Sequence, residues 1–180
     1  MQAQVIAVHL SAAHTFAKRT VDSIALIAGQ GVAGDAHCGR SVQHRSRIAR
    51  EASAPNLRQV HLLQQELLDE LGGLGFKVAP GAIGENITTT GLDLLTLASN
   101  TELHIGPTAI VRITGLRNPC KQLDAFQPGL MHAVLDRDAN GELIRKSGIM
   151  GVVVQGGAIK CGDRIVVHAP EPPFLPLRPV

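Results

Sequence analysis

Alternation of apolar and polar residues divides most of the chain into short predicted strands. The first covers residues 4–10 (QVIAVHL), and a second apolar run covers residues 23–28. Residues 102–105 and 109–114 are joined across Gly106-Pro107, which predicts a hairpin. Further strands are predicted at residues 87–90, 148–155 and 159–167, with the last interrupted at Gly162-Asp163.

One segment has helical spacing instead. Val60, Leu63, Leu67, Leu68 and Leu71 recur at intervals of about one helical turn, which predicts a helix over residues 64–71, stopped by the two glycines that follow. Short helical turns are expected within residues 91–97 and 128–135, and a tight turn at residues 140–141.

Many short strands separated by glycine turns favour a barrel or a folded sheet over a parallel α/β fold. The predicted fold class is therefore mainly β (α+β), a β-barrel with a few short helices. At 180 residues and 44% apolar composition, the chain fits one domain with a sizeable core. Residues 169–180 contain five prolines and are predicted to form an extended arm rather than a second domain.

Composition narrows the function classes. The formal net charge is only +2, Tyr and Trp are absent, and Phe occurs four times, so nucleic-acid binding is disfavoured. The apolar runs are too short to span a membrane, and no segment has the pattern of a signal peptide, so a cytoplasmic protein is expected. The cysteines, Cys38, Cys120 and Cys161, are odd in number and widely spaced, which agrees with a reducing compartment.

Basic residues are spread along the chain, with one local cluster in a segment where no helical or strand period is evident. The cluster consists of Arg40, His44, Arg45, Arg47 and Arg50. It is either a solvated loop or a lip that attracts an anionic ligand.

The segment Arg117-Asn118-Pro119-Cys120 is the first candidate for chemistry. Its proline places it in a loop after the strand at 109–114, and nearby cationic residues favour the thiolate of Cys120. A thiolate is a good soft-metal ligand and a good nucleophile. The alternative is a small apolar filler, which is the role expected for Cys161, in a strand beside a turn.

Two further turns carry polar side chains. Glu85 and Asn86 follow Gly84, and an amide there can pair with the edge of a heterocycle, or simply cap the turn. In the segment from Gly34 to His37, Asp35 is either a functional carboxylate or the closing residue of an Asx-turn.

Taken in order, these segments closely resemble the MOSC domain family. The resemblance rests on residues 32–35 (VAGD), 58–63 (RQVHLL), 80–88 (PGAIGENIT), 91–94 (GLDL), 117–120 (RNPC) and 156–163 (GGAIKCGD). It covers about residues 1–168, which would form the MOSC domain. One departure is Asn100-Thr101, where the family usually has Gly-Asp.

The resemblance implies a barrel-containing β fold and a molybdenum cofactor (molybdopterin). It implies Cys120 as metal ligand and catalytic residue, and a cofactor site formed by Gly34, Asp35, Gly84, Glu85, Asn86, Arg117 and Asn118. The basic segment would face the cofactor phosphate or an entry channel.

The implied reaction is reduction of N-hydroxylated compounds. No nicotinamide or flavin fingerprint appears, so electrons would come from a separate donor protein. Two alternatives remain open: a non-catalytic cofactor carrier or sulfur-transfer protein, and a cysteine-dependent enzyme in which Cys120 is paired with His37, His44 or His132 as base.

Overall fold

The computed structural model describes residues 2–43 and 53–180. His44, Arg45, Arg47 and Arg50 of the basic cluster therefore lie outside the described residues.

The described chain is built mainly from strands, with a few short helices. The strands are β1 (Gln4–Leu10), β2 (Arg19–Val21), β3 (Ser23–Ile27), β4 (Gly31–Val32), β5 (Val60–Gln64), β6 (Ile87–Thr90), β7 (Glu102–Ile105), β8 (Ala109–Leu116), β9 (Leu135–Arg137), β10 (Leu143–Arg145), β11 (Ile149–Gln155), β12 (Gly157–Lys160) and β13 (Ile165–His168). The helices are α1 (Gln65–Gly73), α2 (Gln122–Phe126) and α3 (Leu130–Ala133), with a 3₁₀ turn at Leu94–Thr96. The predicted mainly β fold is confirmed at this level.

The strands form three sheets. An eight-stranded sheet has the order β13-β7-β8-β11-β5-β6-β1-β2, a three-stranded sheet has the order β12-β3-β4, and β9 pairs with β10 as a hairpin. Within the large sheet β5 and β6 run parallel, while the other pairs are antiparallel. The turn predicted at residues 140–141 lies between β9 and β10.

The predicted closed barrel is not observed: in the described residues the eight-stranded sheet remains open. The turn before β13 approaches β1, where Gln4 forms an isolated bridge with Arg164. Beyond that point β2 pairs with β1 through Val8, His9 and Leu10. Since β2 occupies the far part of the β1 edge, only the first residues of β1 remain for contact with the β13 end, and no closing ladder forms.

The helix predicted over residues 64–71 is confirmed, but Val60 and Leu63, which were counted in its helical spacing, lie in a strand. Val60 to Gln64 form strand β5, which lies between β6 and β11, and helix α1 begins at Gln65. A strand covered on both faces carries a continuous apolar run, which periodicity alone does not distinguish from one side of a helix. The glycine pair at 72–73 forms the last turn of α1 rather than following it.

Strand β5 separates two apolar cores. Val60 and Leu62 belong to a cluster between the large sheet and the three-stranded sheet, whereas Leu63 belongs to a cluster that includes residues of α1, α2 and α3. Successive side chains of a strand point to opposite faces. His61 therefore shares the face of Leu63, and this face carries the candidate site.

The C-terminal arm is extended and packs against the domain. Pro176 and Pro179 form isolated bridges with Ala98 and Leu116, and the Leu177 side chain is buried in the first core. Among the described residues, no helix is long and apolar enough to cross a membrane.

Candidate functional site

A polar cleft of about 510 Å³, including its open mouth, is bordered by β5, β11, the loops that precede β2 and β6, and the loop after β8. It is lined by Thr15, Phe16, Lys18, His37, Arg58, His61, Ile83, Gly84, Asn86, Arg117, Gln122 and Met150. Three of these, Gly84, Asn86 and Arg117, were predicted as site residues. Cationic side chains outnumber acidic ones in the lining, so the cleft favours an anionic ligand.

Asp35 is the buried anchor behind the cleft wall. Its Oδ2 accepts hydrogen bonds from Ser11 N (3.2 Å) and Asn86 Nδ2 (3.1 Å), and lies 2.7 Å from Lys18 Nζ. Its Oδ1 accepts from the backbone and ring nitrogens of His37. Burial alone would raise the pKa of Asp35, but the bonds from His37 and the charge of Lys18 outweigh it and hold the pKa below its ordinary value.

Lys18 contributes a nearly buried ammonium to the cleft. Only 4% of its side chain is exposed. Burial lowers the pKa of Lys18, while the Asp35 carboxylate acts in the opposite direction. The ion pair with Asp35 thus keeps a positive charge in a poorly solvated position.

Asn86 joins three segments of the chain. Its Nδ2 donates to the carbonyl of His9 (3.2 Å) and to Asp35, and its Oδ1 accepts from His61 N (3.2 Å). Both donor hydrogens are therefore used within the protein. Asn86 lines the cleft, and its two side-chain donor hydrogens hold the cleft wall together.

Glu85 is fully buried and lies outside the cleft lining. Its Oε1 accepts hydrogen bonds from Gly81 N (2.5 Å) and the Thr88 hydroxyl (3.2 Å). Its Oε2 has no hydrogen-bond partner within residues 2–43 and 53–180. Burial raises the pKa of Glu85, and the bond from Gly81 opposes that shift. Glu85 therefore supports the turn that precedes β6. From the sequence, Glu85 was instead predicted to contact the cofactor.

Two glycines allow the turns on which the site depends. Gly84 has a φ of +92°, and a Cβ at this position would lie 2.7 Å from the carbonyl oxygen of Phe16. Gly34 has a φ of +76° and precedes Asp35 in the turn after β4. Glycine adopts such conformations without steric cost.

Two buried histidines were missed as individual site residues. His61 lines the cleft, and its Nε2–H donates to the carbonyl of Ser147 (2.9 Å). Burial lowers the pKa of His61 well below its ordinary value, with Arg117 acting in the same direction. His9 is within hydrogen-bonding distance of Thr20 and Thr88, and burial lowers its pKa to about 4. Both histidines lie in apolar strand segments, so the hydrophobic pattern of the sequence did not mark either one as a site residue.

Arg117 lies at the junction of β8, the cleft and the β11 end. Its backbone N donates to the Gly148 carbonyl (2.9 Å), and its own carbonyl accepts from the Ser147 hydroxyl (3.0 Å). Its Nη1 is buried and has no hydrogen-bond partner in the described part of the chain. Burial lowers the pKa of Arg117, while Cys120 and Glu85 favour the charged guanidinium.

Cys120 is at the rim rather than in the lining. Its Sγ lies 3.5 Å from Oε1 of Gln122, which does line the cleft. A thiolate at Cys120 would favour the charged form of Arg117. Asn118 is exposed, and its Oδ1 accepts from Arg145 in β10 (3.0 Å). The loop thus brings Arg117 and Cys120 toward the cleft and directs Asn118 to the β9–β10 hairpin.

The remaining predictions concern isolated cysteines and histidines. Cys161 is exposed in the turn between β12 and β13, so the prediction that it fills a packed position was wrong. His132 is exposed on α3, and His44 lies outside the described residues. Within residues 2–43 and 53–180, no three His, Cys, Asp or Glu side chains form a group that could hold a metal ion.

The fold and the cleft define a mainly β domain with a cationic site and a loop cysteine at its rim. The MOSC domain model matches residues 33–166, and the chain belongs to the MOSC domain family. YuaD of Bacillus subtilis (strain 168), whose name refers to metal-sulfur cluster biosynthesis, is 27% identical over 182 residues, covering 94% of this chain and 92% of YuaD.

Solved structures agree with this assignment. The crystal structure of YuaD superimposes with a TM-score of 0.74 at 25% identity, covering 95% of this chain and 98% of YuaD. YiiM from Geobacillus stearothermophilus gives a TM-score of 0.67 at 20% identity, covering 97% of this chain and 79% of YiiM. YiiM from Escherichia coli gives 0.63 at 19% identity, covering 97% and 73%. The two YiiM structures support the fold alone.

Proposed function

We propose that the cleft binds a molybdenum-pterin cofactor and that the protein reduces N-hydroxylated compounds, with electrons from a separate donor protein. Membership of the MOSC family supports a molybdenum-pterin cofactor as the ligand. The arrangement of charge and sulfur at the cleft supports the placement.

The observation that carries the proposal is the Arg117 guanidinium. A buried charged donor without a hydrogen bond costs free energy, and an anionic ligand would remove that cost. Nη1 is such a donor within the described residues, and Lys18 adds a second cation to the same cleft. A pterin phosphate is an anion of the kind that these groups would hold.

The residues also fit the metal. Cys120 is partly exposed at the rim, and Arg117 is near enough to interact with its thiolate. Thiolate is a soft ligand of the type that molybdenum accepts. When bound, the cofactor would supply a redox-active metal that passes electrons to the substrate. Arg117 and Lys18 would hold the anionic end, while Asp35 and Asn86 keep the cleft wall in place.

An apolar wall at the mouth agrees with an organic substrate. Phe16 and Phe126 lie with ring centroids 5.8 Å apart, and Phe126 is 42% exposed. Phe16 also lines the cleft. The substrate's organic part would contact this wall, since aromatic rings favour apolar and planar groups.

The test is turnover by protein purified from a host that makes the cofactor. Molybdenum and pterin are measured on the sample, and the absence of Tyr and Trp makes a bound pterin conspicuous in the near ultraviolet. With an artificial reductant, the holoprotein should reduce an aryl hydroxylamine to the amine. Protein that contains neither metal nor pterin and cannot be reconstituted would contradict cofactor binding.

A cofactor carrier or sulfur-transfer protein is the second candidate. The reference to metal-sulfur cluster biosynthesis in the name of YuaD favours it, and a rim cysteine suits transfer of sulfur as well as metal ligation. Holoprotein with full cofactor content and no reduction of the hydroxylamine would favour this candidate over the reductase.

A further inference from the structure

The two oxygens of Asp35 have different partners. Oδ2 takes the bonds from Ser11, Lys18 and Asn86, which tie together separate segments of the chain. Within the described residues, Oδ1 accepts its hydrogen bonds from His37, from the backbone N at 3.0 Å and from the ring Nδ1 at 3.2 Å. One side of the carboxylate is structural, and the other orients an imidazole.

His37 is the member of this pair that reaches the cleft. Its side chain is 20% exposed and lines the cleft with Lys18, Asn86 and Arg117, whereas that of Asp35 is 2% exposed. Because the carboxylate accepts a hydrogen bond from Nδ1–H, the imidazole gains and loses its second proton at Nε2. A histidine fixed in this way by a carboxylate is a common proton donor in enzymes.

We propose that His37 is a catalytic proton donor, oriented by Asp35, in the reduction of the N-hydroxylated substrate. The inference rests on the proposed function. Reduction of R–NHOH to R–NH₂ breaks the N–O bond, consumes two electrons and two protons, and releases water. The donor protein supplies the electrons. The Nε2–H of protonated His37 gives one proton to the departing oxygen, which leaves as water, and solvent supplies the proton that the nitrogen gains and reprotonates His37.

The surroundings of His37 are mixed in charge. Asp35 places a negative charge beside the ring, and the cations Lys18, Arg58 and Arg117 line the same cleft. The ring of His14 lies edge-on at a centroid distance of 5.0 Å. A histidine held by a carboxylate at the wall of a cleft is placed to transfer a proton to a ligand bound there.

The test compares His37→Asn with wild type in holoprotein, using phenylhydroxylamine and a reduced viologen dye. Asparagine keeps a donor near the Nδ1 position, so the bond to Asp35 and the pterin content per chain should be retained. Turnover number should fall about 100-fold or more, as expected when a general acid is lost, with KM changed less than about threefold. His132→Asn, on exposed α3, is the matched control and should equal wild type.

Chemical rescue separates proton transfer from a structural role. Added imidazole should restore part of the turnover of His37→Gly and leave wild type unchanged. The assignment of His37 is overturned if His37→Asn has wild-type turnover. It is also overturned if imidazole does not restore turnover to cofactor-loaded His37→Gly. Neither result affects the proposed reaction. Cofactor-loaded wild type without any turnover overturns the proposed reaction and the assignment with it.

Discussion

Cys120 and Arg117 are separated by two residues, and a negative charge on Cys120 would favour the charged form of Arg117. Their proposed roles differ, since sulfur would ligate the metal and the guanidinium would hold the anionic end of the cofactor. Single substitutions at the two positions should therefore have different effects.

Cys120→Ser should keep most of the pterin and lose most of the reduction, because a harder oxygen ligand shifts the potential of the metal. Pterin content and hydroxylamine reduction are measured on the same samples. Exposed Cys161→Ser serves as control and should behave as wild type. If Cys120 only fills space, Cys120→Ala costs about 1 kcal/mol of stability and leaves activity per molecule normal, and the ligand assignment fails.

Arg117→Met should have the opposite effect from Cys120→Ser, because it should weaken binding of the pterin. Removing a buried donor that lacks a partner in the described structure should leave the unfolding free energy of the apoprotein unchanged or higher. Affinity for the pterin should fall roughly 10- to 100-fold, the value of a charge-assisted hydrogen bond. Arg112→Met, at an exposed pair with Glu102, is the control for loss of charge. Undiminished pterin binding by Arg117→Met would remove the main support for the placement.

At the scale of elements, the junction before β11 sets the position of Arg117. Gly148 has a φ of +92°, and its carbonyl accepts from Arg117 N. A Cβ on Gly148 would meet the carbonyl oxygen of Leu62, and this oxygen belongs to the neighbouring strand β5. Backbone atoms cannot move aside as the end of a side chain does.

Gly148→Ala should therefore lower the unfolding free energy by more than about 2 kcal/mol, measured by urea denaturation of the apoprotein. Gly162→Ala is a matched control, since Gly162 has a φ of +88° with nothing within 4 Å of the added Cβ. It should lose about 1 kcal/mol, from the left-handed conformation alone. Equal losses would show that the contact with β5 carries no cost.

The arm is a second element that reaches the site loop. Leu116 N donates to the Arg178 carbonyl (2.8 Å), one residue before Arg117, and Leu177 is 8% exposed. Packing of the arm thus fixes the end of β8.

Leu177→Ala should destabilise the protein by about 2–3 kcal/mol because it leaves a cavity in the first core. Leu175→Ala, where the leucine is 57% exposed, should change stability by less than about 0.5 kcal/mol. Thermal and urea unfolding of both variants provides the measurement. Similar effects at the two positions would mean that the arm does not pack as described.

At the scale of the whole molecule, buried histidines make stability depend on pH. The unfolded chain binds a proton at His9 near its ordinary pKa of 6.5, whereas the folded protein does so near pH 4. Lowering the pH through this window therefore favours unfolding, by up to about 1.4 kcal/mol per pH unit for one such group. His61 acts in the same direction, and Glu85, with its raised pKa, acts in the opposite one.

The unfolding free energy should thus be highest above pH 6.5 and fall toward pH 4. His9→Gln should show a shallower fall, and exposed His132→Gln should retain the wild-type slope. Urea midpoints at several pH values give the comparison. A His9→Gln slope equal to that of wild type would mean that His9 does not titrate in this way.

Local pattern predicted many of the elements because neighbouring residues determine them. The alternation at 4–10 coincides with β1, and glycine with proline at 106–107 placed the β7–β8 hairpin. Two features depended on distant residues. β5 is a strand whose two edges pair with β6 and β11, and the large sheet stays open with β2 paired along part of the β1 edge. The strands that pair with β5 and β1 cannot be identified from the residues of β5 and β1 themselves.

The sequence by itself determined the family, the short-stranded fold and the candidate site residues, because motifs and their order along the chain can be recognised without knowing which residues are in contact. Only the tertiary structure decided where those residues lie and what they contact. It placed Gly84, Asn86 and Arg117 at one cleft, turned Asn118 outward and buried Glu85. Burial, charge pairing and hydrogen-bond satisfaction depend on groups that are far apart in the chain, and these set the chemistry of each side chain.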